Sequence, residues 1–356
     1  MKKIFIKSVN WVGDAVMVTP AIRAVRRAFP QAQITLLARP GIAEVFEGNP
    51  DIDRLWVGDE RGSFRRFREI AARMRHEQFD WGLSLPNSFA AALLLFLGGV
   101  KQRVGYGRDG RGFLLTDVVK PTREILGIHE VEYYLNLLHG VCDVSQQERK
   151  LILTPPSTAE AQALRVLEES GLADAIKQGH PLVGICPGAA HGTAKRWLPE
   201  RFAEVSDRLA EQWGARGVVV GAPNEREVGQ QVAAAAQRPI TVLSGQFPLR
   251  TLIALIGHFR LFLTNDCGSM HLAAARNVPL VAVFGPTKDE NTAPYHPDAR
   301  IVRSAKVDCP DHPCMQRHCK REHQCMTSVT VDEVARVADE QMQIALGQNA
   351  EGVHRP

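Results

Sequence analysis

Short apolar segments alternate with longer amphipathic segments along this chain, and the alternation runs through the sequence twice. In the first half the apolar segments are residues 4–7, 34–37, 54–57, 81–85 and 102–106, with helical patterns over 15–29, 42–48, 64–76 and 88–97. In the second half they are residues 182–186, 217–220, 240–243, 261–264 and 280–284. Strands joined by helices pair in parallel, because a parallel pair needs a long crossover connection. The pattern predicts an α/β fold with two doubly wound sheets.

The length of 356 residues suits two domains of ordinary size, each able to bury its own core. A stretch with two prolines, residues 153–157, and a polar helix over 158–170 lie between the two halves. We place the boundary after residue 165, so the predicted domains are residues 1–165 and 166–356. A final helix over 331–346 fits against either domain.

Composition narrows the class of protein. A hydrophobic content of 45% and a charged content of 23% are typical of soluble globular proteins. The chain opens directly into a strand, without the long apolar region of a signal peptide, and the apolar run at 90–100 is too short to cross a bilayer. We therefore expect a cytoplasmic protein. The net charge is only +4 and no basic block interleaves with aromatic residues, so we expect no nucleic-acid partner.

Basic residues cluster between residues 65 and 75. Arg65, Arg66, Arg68, Arg73 and Arg75 all fall within one predicted helix. One interpretation is a solvated helix face. The other is a surface that contacts an anionic substrate or a membrane.

Two polar junctions follow apolar strands, one in each half. The first runs from Ser8 to Asp14, and the second reads Thr264-Asn265-Asp266-Cys267-Gly268-Ser269-Met270-His271. Parallel α/β sheets bind ligands at the carboxyl ends of their strands, where helix N-termini present free N–H groups. Turn and helix-cap residues explain either junction alone equally well. Together they predict a cleft between two similar domains.

A third junction, Cys186 to Trp197, follows the first strand of the second half. Its small residues let backbone N–H groups approach an anion, and Lys195 and Arg196 add positive charge. We interpret it as a phosphate-binding loop, with an ordinary glycine-rich strand exit as the alternative. Glu225 follows the next strand, where a carboxylate either binds ribose hydroxyls or caps the following helix.

Four motifs in this order and spacing resemble those of the lipopolysaccharide heptosyltransferases. They are Asn10 to Asp14, Leu85 to Phe89, Pro187 to Ala189 with Ala194 to Trp197, and Thr264 to His271. The resemblance extends from the first strand to Gly285-Pro286-Thr287. It implies a GT-B architecture, with two Rossmann-like domains facing across a cleft. The C-terminal domain would bind ADP-heptose, and the N-terminal domain would bind the lipid acceptor.

The resemblance also implies residue roles. Asp14 matches the catalytic base and Lys195 matches the lysine that binds the diphosphate. The implied donor-binding residues are Gly188, Ala189, Thr193, Lys195, Arg196, Glu225, Asp266, Cys267, Gly268 and His271, and the acceptor-binding residues are Asn10, Trp11, Asn87 and Ser88. The chain departs from the family pattern at Ala190-His191 and at Cys267, where a small hydroxyl residue is common.

The expected reaction is an inverting transfer of L-glycero-D-manno-heptose from ADP-heptose. The acceptor is the first heptose of the lipopolysaccharide inner core, carried on Kdo2-lipid A, at the inner face of the cytoplasmic membrane. The alternatives are transfer of the first or third heptose by the same family, a GT-B nucleotide-sugar epimerase, and a regulator that only binds the donor. No Asp-x-Asp motif lies beside the predicted nucleotide loop. We therefore expect no obligatory metal or other cofactor.

Four cysteines lie close together near the C-terminus. Cys309, Cys314, Cys319 and Cys325 are interspersed with His312, His318 and His323. Zinc knuckles usually have tighter spacing, and a cytosolic setting disfavours disulfides. A structural metal site such as zinc, reduced thiols, and a disulfide or cluster therefore remain as alternatives. We expect this segment to be a local insert that lies outside the chemistry.

Overall fold

The computed structural model describes residues 1–190, 192–305 and 307–351, with only the backbone described over 348–351. His191, part of one departure from the family pattern, therefore lies outside the described residues. The strands are β1 (Lys3–Lys7), β2 (Gln33–Ala38), β3 (Arg54–Val57), β4 (Trp81–Ser84), β5 (Gln102–Tyr106), β6 (Asp117–Val119), β7 (Leu182–Cys186), β8 (Arg216–Val219), β9 (Ile240–Val242), β10 (Leu261–Asn265), β11 (Leu280–Val283) and β12 (Ala299–Val302). The helices are α1 (Val12–Met17), α2 (Thr19–Ala28), α3 (Pro40–Ala43), α4 (Phe64–Glu77), α5 (Phe89–Leu97), α6 (Glu130–Asn136), α7 (Ser157–Glu169), α8 (Leu172–Lys177), α9 (Pro199–Trp213), α10 (Arg226–Ala235), α11 (Leu249–Ile256), α12 (Gly268–Ala275), α13 (Asp289–Thr292), α14 (Gln324–Thr327) and α15 (Val331–Glu351).

The strands form two parallel sheets with the same topology. The first sheet has the order β3-β2-β1-β4-β5-β6, and the second has the order β12-β11-β10-β7-β8-β9. Both reproduce the Rossmann order, in which the chain reverses its direction of winding between the first and fourth strands. The switch points, where ligands of such sheets bind, are therefore β1/β4 in one unit and β7/β10 in the other.

The two units meet at Thr154 and Pro155. This division differs from the predicted boundary after residue 165, which lies inside α7. The buried residues of α7, Ala159, Ala163 and Leu167, are part of the second unit, where α7 packs on α11. Because those side chains need that neighbour, the whole helix belongs to the second unit. The final helix, α15, also packs within the second unit, on α9, β10 and β11.

The sequence pattern missed two strands and merged two helices. β6 and β12 are short edge strands whose residues, apart from the buried Val302, are half-exposed or exposed, so no buried apolar run marks them. The predicted helix over 15–29 begins earlier and divides into α1 and α2. Pro20 has no N–H for the carbonyl of Val16, and the hydroxyl of Thr19 donates to that carbonyl instead, at 2.7 Å. No helix of the described residues is long and apolar enough to cross a membrane.

Candidate functional site

The predicted site residues lie at the carboxyl ends of the strands that flank the two switch points. In the first unit, Asn10, Trp11 and Asp14 follow β1, and Asn87 with Ser88 follows β4. In the second unit, the loop from Gly188 to Arg196 follows β7, and residues 266–271 follow β10. The first unit thus carries its predicted residues after β1 and β4, and the second carries them after β7 and β10, with Glu225 after β8.

Lys195 and Asp266 form the charged centre of the second unit. The ammonium Nζ of Lys195 lies 2.5 Å from Oδ2 of Asp266, and both side chains are largely shielded from solvent. The hydroxyl of Thr287 donates to the same carboxylate oxygen, at 2.7 Å. The carboxylate therefore holds the lysine in place at the mouth of the loop after β7. An anion that binds there would compete with Asp266 for this charge.

Asn265 ties the two loops of the second unit together, a role that the sequence analysis did not assign. It is fully buried at the end of β10. Its side-chain amide donates to the carbonyl of Pro187, at 2.8 Å, and its Oδ1 accepts from the N–H of Trp197, at 2.9 Å. The signal available in the sequence was a polar residue that ends an otherwise apolar strand.

Glu225 packs directly against Gly188. Its Oε2 accepts from the N–H of Ala222, at 2.9 Å, so the capping contact considered for this residue is present. A Cβ atom on Gly188 would lie 2.2 Å from Oε1 of Glu225. The glycine therefore creates the space that the carboxylate occupies at the end of β8.

We predict that Gly188→Ala displaces Glu225. Because the added methyl group overlaps the carboxylate, we expect a loss of about 1–3 kcal/mol in the free energy of unfolding, together with weaker nucleotide binding. Denaturant unfolding and calorimetric titration with ADP measure the two effects. Gly347→Ala is the control, since nothing lies within 4 Å of its Cβ position. Equal behaviour of the two variants would contradict the prediction.

Cys267 lies beside a second thiol. Its Sγ is 3.9 Å from Sγ of Cys186 and 3.2 Å from the hydroxyl of Thr264. The hydrogen bond from Cys186 lowers the pKa of Cys267, and the same bond raises the pKa of Cys186. The thiol of Cys267 thus has hydrogen-bond partners in both Cys186 and Thr264.

The remaining predicted donor residues surround this centre. Ala189 and His271 are buried, and Gly268 begins α12. Arg196 is half-buried, and its Nε has no hydrogen-bond partner among the residues that the structure describes. Thr193 begins a short 3-10 turn that ends at Lys195.

The cysteine-rich segment contacts the loop that carries Lys195, so it is not an isolated insert. That it takes no part in the chemistry stays a prediction. The N–H of Ala194 donates to the carbonyl of Arg317 at 3.0 Å, and Nε2 of His323 donates to the carbonyl of Ala194 at 2.7 Å. A Cβ on Gly192 would lie 2.1 Å from the Arg317 oxygen. His318 contacts the hydroxyl of Thr193 at 3.1 Å. The histidines thus bind the loop.

The four cysteines of this segment line one cavity. Its volume is about 390 Å³, and His312 and His323 also line it. All four are free thiols. Burial and the neighbouring thiols raise the pKa of Cys325 to about 11. In the described part of the chain, no three His, Cys, Asp or Glu side chains are arranged to hold a metal ion. The structure thus has no disulfide among these four cysteines, and the choice between a metal site and reduced thiols stays a prediction.

Asp14 of the first unit lies in the first turn of α1. Its negative charge affects the pKa of two side chains of α6, Glu130 and Tyr134. Burial raises the pKa of Glu130 to about 7, and the negative charge of Asp14 adds to the effect. The same two causes hold the pKa of the buried Tyr134 well above its usual value. The sequence analysis did not identify Glu130 or Tyr134, because α6 lies more than a hundred residues from Asp14 and carries no recognised motif.

We predict that Glu130 makes the protein less stable as the pH rises. Its pKa is about 7 in the folded protein and 4.5 ordinarily, so the folded state binds the proton more tightly. Between those values the unfolded chain loses the proton first, and the free energy of unfolding falls as pH rises. Denaturant unfolding at pH 4.5 and 7.5 is expected to show a smaller fall for Glu130→Gln. An unchanged fall would rule out this assignment.

Arg111 organises the acceptor motif after β4 and was also missed. It is fully buried, and it donates to the hydroxyl of Ser84 at 3.0 Å, to the carbonyl of Pro86 and to the carbonyl of Ser88 at 3.2 Å. Burial lowers its pKa to about 10. One guanidinium thus fixes the shape of this loop through its backbone.

The predicted acceptor residues have different surroundings. The amide of Asn87 donates to the hydroxyl of Tyr133 at 2.9 Å. The hydroxyl of Ser88 accepts from the N–H of Ala91 and caps α5. Trp11 is exposed, and Oδ1 of Asn10 is buried without a hydrogen-bond partner among the described residues. Oδ1 of Asn10 is thus a polar atom that a ligand could use.

Comparison with known proteins identifies relatives over most of the chain. A family model described as glycosyltransferase family 9 (heptosyltransferase) matches residues 67–324. Lipopolysaccharide heptosyltransferase 2 of Escherichia coli strain K12 is 31% identical over 312 residues, which are 85% of this chain and 88% of that protein. The solved structure of E. coli ADP-heptose LPS heptosyltransferase II is 25% identical with a TM-score of 0.80, and covers 97% of this chain and 99% of its own. A glycosyl transferase family 9 structure from Veillonella parvula is 25% identical with a TM-score of 0.84, at 96% and 98% coverage.

Proposed function

This chain belongs to glycosyltransferase family 9, the heptosyltransferases, and on that premise we propose that it transfers L-glycero-D-manno-heptose from ADP-heptose to the first heptose of the lipopolysaccharide inner core. The resemblance seen in the motifs is thereby confirmed, as are the GT-B fold class and the activity of a glycosyltransferase. The observation that carries the choice of acceptor is the similarity to a heptosyltransferase 2 over 85% of the chain.

The donor would bind at the β7/β10 switch point of the second unit. Transfer breaks the bond between the anomeric carbon and the diphosphate, so negative charge develops on the departing ADP. Lys195 would stabilise that charge, together with the backbone N–H groups of the loop and of the N-terminus of α12. Glu225, at the end of β8, lies where Rossmann domains bind ribose hydroxyls.

The acceptor would bind at the β1/β4 switch point of the first unit. The acceptor hydroxyl attacks the anomeric carbon from the side opposite the diphosphate and inverts its configuration. Its proton passes to Asp14, which acts as the general base. Asn10, Trp11 and Asn87 would bind the acceptor sugar. Because the acceptor is a lipid, we place the enzyme at the inner face of the cytoplasmic membrane.

Purified protein incubated with ADP-heptose and truncated lipopolysaccharides tests this function. Acceptors that bear zero, one or two heptoses are compared by mass spectrometry. We expect a gain of one heptose on the acceptor that already carries one, with an inverted anomeric centre by NMR. Transfer to the acceptor without heptose, or to the acceptor with two, would indicate an enzyme that adds the first or the third heptose. A donor isomerised without acceptor would indicate an epimerase, and binding without turnover would indicate a regulator.

A further inference from the structure

Helix α5 of the first unit is apolar on every side, although part of it faces solvent. Its sequence, FAAALLLFL, contains no polar residue. Four of its residues are buried in the unit, at positions 91, 92, 94 and 95. Phe89 and Phe96 are 44% and 48% exposed, and Leu93 and Leu97 are partly exposed beside them. A surface helix of a globular protein normally carries polar residues on its outer face. This outer face therefore has the composition of a contact surface.

The exposed apolar surface continues on both sides of α5. Phe113 is 76% exposed, and its ring lies 6.1 Å from that of Phe89. Phe64 at the start of α4 is 77% exposed, and it borders a groove of about 600 Å³ that Leu97 of α5 also lines. Exposed apolar surfaces of this extent usually mark a binding site. We call this surface the α4–α5 face, and it comprises Phe64, Phe89, Leu93, Phe96, Leu97 and Phe113.

Arginines border the α4–α5 face. Arg65, Arg68 and Arg75 line the groove beside Phe64. The guanidinium of Arg68 lies over the Phe64 ring at 5.8 Å, and that of Arg103 lies over the Phe96 ring at 5.5 Å. The groove also has one carboxylate, Glu69, which pairs with Arg65 at 2.8 Å. The groove therefore keeps a net positive charge next to its aromatic rings.

The α4–α5 face adjoins the proposed acceptor site. Phe89 follows Ser88 directly, so the exposed stripe begins where the acceptor motif ends. Aromatic rings with arginines around them match the two layers of an anionic bilayer surface, acyl chains below and phosphates above. We favour a bilayer over a water-soluble protein partner, because this face lies beside the proposed site for a lipid acceptor.

We propose that the α4–α5 face docks the enzyme on the surface of a bilayer that contains anionic phospholipid. Phe89, Phe96 and Phe113 enter the boundary between head groups and acyl chains, while the arginines contact lipid phosphates. This inference rests on the proposed function, because it is the lipid acceptor that requires the contact. It adds the surface by which the enzyme reaches that acceptor.

Co-sedimentation with vesicles tests the proposal. The full chain is mixed with vesicles of phosphatidylcholine, alone or with phosphatidylglycerol. We expect binding to the anionic vesicles that weakens as salt is added. We expect Phe96→Ser with Phe113→Ser to lower the partition coefficient about tenfold per ring, and Arg68→Gln with Arg75→Gln to lower it about fivefold per charge. Leu164→Ser and Arg165→Gln, at exposed positions on α7 of the other unit, are matched controls and retain full binding.

Activity on a water-soluble, deacylated acceptor separates this proposal from the proposed function. We expect the surface variants to use that acceptor at the unmodified rate and to lose activity only on acceptor embedded in vesicles. Binding of the phenylalanine pair variant at the unmodified level would overturn the docking proposal, as would failure of the unmodified enzyme to sediment with anionic vesicles. Vesicle binding without transfer to any heptose acceptor would instead overturn the function.

Discussion

Replacing Asp14 with Asn is expected to lower turnover by roughly two to four orders of magnitude, the usual scale of general acid–base catalysis. The amide keeps the shape of the side chain but cannot accept the proton of the acceptor hydroxyl. Affinity for ADP-heptose is expected to stay nearly constant, because Asp14 belongs to the first unit and the proposed donor residues belong to the second. Steady-state kinetics with the one-heptose acceptor and calorimetric titration with ADP measure the two quantities.

Asp117→Asn is the matched control for this variant. Asp117 is an exposed carboxylate on the edge strand β6 of the same unit, and its loss is expected to leave turnover unchanged. The Asp14→Asn variant is also expected to lower the pKa of Glu130, because a neighbouring negative charge is removed. Near-normal turnover would remove Asp14 from the mechanism and leave it a structural residue in the first turn of α1.

Replacing Lys195 with Ala is expected to weaken donor binding by about ten- to a hundredfold, the scale of a lost charge-assisted hydrogen bond, and to lower turnover further. Removing Lys195 also affects Asp266, with which it pairs. Among the described residues, the carboxylate of Asp266 would keep only the hydroxyl of Thr287 as a side-chain partner, so its buried charge would remain uncompensated beside the diphosphate. Titration with ADP, kinetics and denaturant unfolding are the measurements.

A double variant separates the two consequences. Lys195→Ala with Asp266→Asn removes the orphaned charge, so we expect it to recover stability while turnover stays low. EDTA is expected to have little effect on the unmodified enzyme. If EDTA abolishes activity and magnesium restores it, a metal ion rather than Lys195 alone neutralises the diphosphate. Asp266 would then be the first candidate for its ligand.

Much of the fold could be predicted because buried parallel strands leave a strong signal. Each central strand is a largely apolar run, and the predicted strands agree with β1, β4, β7 and β10 within about two residues at either end. The edge strands β6 and β12 have exposed positions and lack such a run. Burial creates the pattern, so elements with little burial escaped prediction.

The sequence by itself determined that polar and charged residues follow the central strands, and hence where a site would form. Only the tertiary structure decided which groups meet. Lys195 pairs with Asp266 because β7 lies beside β10 in the sheet, although these residues are far apart along the chain. The cysteine-rich segment reaches the Lys195 loop through hydrogen bonds with the backbone of Ala194, one made by the carbonyl of Arg317 and one by the side chain of His323, and the identity of Ala194 gives no sign of either. Distance along the chain does not limit contact in a doubly wound sheet, because its crossovers place strands from separate parts of the sequence side by side.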